Sequence, residues 1–176
     1  MNGRDASDSV SDNRLVAELW TLGVPFVGGA METGTEALSP IRLLSGLASS
    51  PDARVQLGLI PLLLRRPEKA VALQEAAMSL GGQARIRLMC YATAAALLQV
   101  EHWERLLLAT HATELLPDFF SSDLALAPDN DPDRRLDALA ARQAVLSGRD
   151  LNWRGTYESA AVRLLTRLER EAAWTA

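Results

Sequence analysis

Three times in this chain a capping side chain stands directly before a proline: Ser39-Pro40, Ser50-Pro51 and Asp131-Pro132. A proline at the first helical position sacrifices no hydrogen bond, because that N–H has no partner inside the helix, and the serine or aspartate before it accepts from the next free amides. Each pair therefore predicts a helix start. Arg66-Pro67-Glu68 adds a start without the cap, and Gly81-Gly82 ends one helix and permits the turn into another. The spacing predicts a first helix over 13–22 and further helices over 40–49, 51–65, 67–80, 83–99, 102–115, 132–147 and 154–173. Several joints are so short that consecutive helices must lie antiparallel. No apolar alternation is long enough to predict a strand. The expectation is one all-α domain of about seven helices over 13–176, behind a small, polar, disordered tail over 1–12.

Within that frame, helix 83–99 is apolar on nearly every side, through Ile86, Leu88, Met89, Cys90, Ala94, Ala95 and Leu98, and is expected to be the central buried helix. The last helix carries Tyr157, Ala161, Leu164, Leu165 and Leu168 on one face, with Arg163, Arg167 and Arg170 largely elsewhere. It is expected to dock by the first face and leave a basic stripe in solvent. Pro61 falls inside helix 51–65 and predicts a kink there. Gly23 to Ser39 reads as a loop, pinned by Phe26 and Val27.

Charge bears on partners. The net charge is −4, which argues against a general nucleic-acid binder. It is unevenly spread, at −4 over 1–39, +4 over 40–100, −7 over 101–133 and +3 over 134–176. The fold must bring acidic and basic segments together. Seventeen arginines against the single lysine Lys69 look like a GC-rich bacterial coding bias rather than arginine chosen for phosphate. The one cysteine, Cys90, lies in an apolar phrase, which points to a reduced, cytoplasmic setting. The N-terminal residues lack the apolar core of a signal peptide, and the longest apolar run, Leu57 to Leu64, is too short for a membrane span.

No motif identifies a reaction, a cofactor or a metal. Glu104, His111 and Asp118 recur every seven residues with Glu101, His102 and Glu114 nearby, but Pro117 breaks the stripe and the paired Glu-x-x-His of di-iron bundles is missing. Gly23-Val24-Pro25-Phe26-Val27-Gly28-Gly29 opens like a phosphate loop without its lysine and hydroxyl. Arg105-Leu106-Leu107-Leu108-Ala109-Thr110-His111 resembles the Arg-x(4–6)-His signature of HEPN ribonucleases. The resemblance implies a metal-independent ribonuclease, usually dimeric, with Arg105 and His111 at the scissile phosphate. On a straight helix the pair is separated by about 240° and about 9 Å, so convergence needs a bend or a second subunit.

The phrase Pro51-Asp52-Ala53-Arg54-Val55-Gln56-Leu57 returns as Gly82-Gln83-Ala84-Arg85-Ile86-Arg87-Leu88, and more loosely as Pro132-Asp133-Arg134-Arg135-Leu136. Between Pro40 and Gln99 the offsets of 31 and 27 residues give a helix–turn–helix period near 30. This segment, 40–99, resembles HEAT-like repeats, which implies right-handed stacking of hairpins and an interaction scaffold. Leu151-Asn152-Trp153-Arg154-Gly155-Thr156-Tyr157-Glu158 gathers the residue types of binding hot spots. With Ser50-Pro51-Asp52-Ala53-Arg54 and Leu64-Arg65-Arg66-Pro67-Glu68 it resembles small helical bacterial proteins encoded beside nucleotidyltransferases, which implies a partner or regulator of such an enzyme. The sequence thus points first to a non-enzymatic module that binds another protein through Trp153, Arg154, Tyr157, Arg65 and Arg66, with a homodimer as one form.

Overall fold

The computed structural model describes residues 9–25, 36–110 and 114–175. Among the described residues every regular element is helical: α1 Asp12–Thr21, α2 Pro40–Ser49, α3 Ala53–Leu57, α4 Leu59–Arg65, a 3-10 segment Pro67–Ala72, α5 Leu73–Ser79, α6 Gly82–Glu101, α7 Trp103–Thr110, α8 Pro132–Ser147 and α9 Trp153–Thr175. Residues 1–8 of the expected disordered tail lie outside the described residues. Its last part is ordered: Ser11 accepts from the Arg14 amide and Asp12 is already helical.

Two of the three cap–proline pairs start helices as the sequence predicts. The Ser39 hydroxyl accepts from the Arg42 amide at 3.3 Å, and the Asp131 carboxylate accepts from the Asp133 amide at 3.0 Å. At Ser50-Pro51 the start slips forward. Ser50 is buried and its hydroxyl takes the Asp52 N–H at 3.1 Å, so Asp52 becomes the cap by accepting from the Arg54 amide at 2.8 Å. The expected helix 51–65 is therefore shorter, and it breaks at Gly58 into α3 and α4. Pro61 does not kink a helix interior. It sits in the first turn of α4, where its missing N–H leaves no bond unmade. The expected helix 67–80 likewise divides into a 3-10 segment and α5.

α6 is the axis of the fold. It is buried without interruption from Leu88 to Gln99, packs most extensively on α8, and also meets α4, α2, α5, α7 and α9. Ala94 and Ala95, both fully buried, leave room for neighbouring helices to approach. The repeated phrase opens helices of unlike length, five residues in α3 and twenty in α6. The segment 40–99 is helical, as the all-α expectation has it, but these unequal helices do not establish HEAT-like stacking.

Arginine and glutamine close the helix ends. The Arg66 Nε–H donates to the Leu22 carbonyl at the end of α1, Arg87 donates to the Ala48 carbonyl at the end of α2, and Gln83 donates to the Leu146 carbonyl at the end of α8. These carbonyls have no partner within their own helices and carry the negative end of the helix dipole, so a cationic or amide donor stabilises them. α1 ends in a complete Schellman motif. Gly23 takes a φ of +78°, its N–H bonds to the Trp20 carbonyl, and the Val24 N–H bonds to the Leu19 carbonyl at 2.8 Å. That motif buries Val24 and sets Gly23 beside Arg65 of α4.

Candidate functional site

The residues that resemble a hot spot at the start of α9 are mostly internal. Trp153 is 8% exposed and its indole N–H donates to the Arg149 carbonyl at 3.1 Å. Tyr157 is fully buried, its hydroxyl donates to Gln143, and its ring meets Tyr91 edge-on at 6.2 Å. Burial pushes the Tyr157 phenol well above its ordinary range. Arg154, with 20% of its side chain exposed, donates to Glu158 at 2.6 Å, to the Asp133 carbonyl at 2.7 Å, to Asp137 at 3.3 Å and to the Asp133 carboxylate. Partial burial opposes its charge, but Asp133 and Glu158 outweigh that and raise its pKa. Trp153 and Tyr157 thus face inward at the corner where α9 meets α8 and α6. An aromatic pair and an arginine serve docking between helices as well as between proteins, and the local sequence is the same.

Arg65 and Arg66 are engaged within the fold as well. Arg65 lies 3.6 Å from Glu171 of α9, and a side chain at Gly23 would meet its guanidinium at 3.3 Å. Arg66 holds the end of α1. Together they set the spacing between α4, the Val24 turn and the outer half of α9.

Arg105, the arginine of the HEPN-like phrase, bonds Glu169 of α9 at 2.8 Å, while His111 lies outside the described residues. Cys90 is fully buried, and burial pushes its thiol up to about 12, so it is no nucleophile at neutral pH. Among the described residues no three histidine, cysteine, aspartate or glutamate side chains gather as metal ligands, and Asp118 of the heptad stripe is turned to Arg135 and Ser121. The acidic connection after α7 is anchored. Buried Gln99 donates to the Glu114 carbonyl at 3.1 Å and accepts from the Leu116 amide, while Phe120 and Leu124 enter the core.

The outward face of α9 is exposed to solvent at residues 162, 163, 167, 170 and 174. Arg163, Arg167, Arg170 and Trp174 stand at i, i+4, i+7 and i+11, which places them along one stripe. Trp174 is 90% exposed and Val162, beside the stripe, is 45% exposed. Between this stripe and a second wall formed by Val24, Pro25 and Pro61 runs an open groove of about 830 Å³ whose base includes Leu164. Glu171 is the one carboxylate lining it among the described residues, and it is shared by Arg167 at 2.7 Å and Arg65 at 3.6 Å. The basic stripe is legible from residue spacing. The opposite wall is not, because it comes from the Schellman turn and α4, more than a hundred residues away in the chain.

Comparison of the chain with protein-family models, with curated proteins and with solved structures gives no match. Among the described residues no helix is long and apolar enough to cross a membrane.

Proposed function

We propose that this chain is a non-enzymatic module that binds another protein, and that the docking surface is the outward face of α9. The observation that carries this reading is the α9 stripe, with a nearly fully exposed tryptophan and three exposed arginines along one wall of the groove. An exposed tryptophan stabilises no fold, whereas tryptophan and arginine are the side chains that dominate binding energy once a partner covers them. Trp153, Arg154, Tyr157, Arg65 and Arg66 support the surface from behind: they root α9 at one end and set its distance from α4 at the other.

The resemblance to proteins encoded beside nucleotidyltransferases makes such an enzyme the first partner to test. The experiment is quantitative co-purification of tagged wild-type, Arg170→Glu and Trp174→Ala proteins, each checked for its melting temperature. Both variants should melt like the wild type and retain about a tenth or less of the bound partner. Unchanged capture by both variants would move the docking surface elsewhere.

A further inference from the structure

We draw no further inference here: the strongest candidate, the uncapped N-terminus of α6 at Gly81-Gly82 with Arg85 and Arg87 in its first turns and Arg149 beside Arg87, carries nothing, because Arg87 already closes the Ala48 carbonyl and a helix N-terminus among arginines, with no second feature that points to a ligand, does not select what would bind there.

Discussion

Removing Arg154 takes away the one donor group that holds Asp133, Asp137 and Glu158 together at the junction of α8 and α9. Arg154→Ala leaves three carboxylates close to one another, and Arg154→Glu adds a fourth. Hydrogen bonds to charged groups contribute about 1.5–3 kcal/mol when well made and less where water competes, so Arg154→Ala should lower stability by about 2 kcal/mol and Arg154→Glu by more. A urea titration reads this directly; an unchanged midpoint would return Arg154 to the role of a surface residue free for a partner, as the Trp-Arg-Tyr phrase alone suggests. Cys90 gives a second residue-scale expectation. Its thiol titrates near 9.0 in an open chain and is pushed up to about 12 by burial, so between those values the unfolded state binds fewer protons and stability falls as pH rises. Below pH 9 that contribution is complete. A thiol-specific reagent at pH 8 should therefore react only as fast as the molecule opens, and a rapid reaction in native buffer would mean that the α6 core is not closed. Asp118 acts in the opposite pH range. Burial opposes its ionisation, but hydrogen bonds from Ser121 and Arg135 lower its pKa below 3.8, so its contribution holds above that value and fades as the pH falls through its folded pKa.

Helices announced themselves in the sequence wherever their ends are made by neighbouring residues. α8 begins at Asp131-Pro132 and ends at Gly148 with a φ of +64°, and both signals can be read within a few residues. The same logic missed the start of α3, because Ser50 is buried and spends its hydroxyl on Asp52, a fact of tertiary packing. It missed the break at Gly58 for a related reason. A side chain there would approach Leu19 of α1 at 2.8 Å, so the glycine marks a crossing that local sequence does not display. α6 was legible because a helix apolar on every side has only one place to go. Its alanines set how near its neighbours come. Ala95→Leu should overpack that crossing and cost about 1–3 kcal/mol, seen as a lower melting temperature with retained helical circular dichroism. The end of α1 is as exacting. Gly23→Ala forces a left-handed backbone on a side chain that also meets the Arg65 guanidinium, and should cost about 1 kcal/mol or more while shifting the Val24 wall of the groove. Loss of partner capture beyond the loss of stability would tie that turn to the site.

Across the molecule, the segregated charge of the sequence is largely consumed by the fold. The acidic stretch 101–133 and the basic stretch 134–176 meet at Asp118–Arg135 and Asp133–Arg154, and α9 further ties to α7 through Glu169–Arg105 and to α4 through Glu171–Arg65. The sequence shows that such segments must meet but not which arginine meets which carboxylate, since pairing depends on helix rotation set by the core. The stripe of Arg163, Arg167, Arg170 and Trp174 runs along α9 to an end where no residue from Glu169 to Trp174 is buried. Two kinds of electrostatics thus coexist, and salt separates them. Intramolecular pairs at the surface contribute about 0–1 kcal/mol each, and their charges lie within a few ångströms, inside the Debye length of about 8 Å at physiological ionic strength. Adding salt should move the melting temperature by only about a degree or two. Association of a partner protein with the arginine-bearing face of α9 depends on charges brought together from bulk solution, so its affinity should fall severalfold over the same range, mainly through a slower on-rate. Melting curves and quantitative co-purification in matched buffers measure both. If affinity and melting temperature fall together, the ion pairs hold α9 in place and the arginine row has no independent role; if only affinity falls, the row is a recognition surface carried by a fold that does not need it.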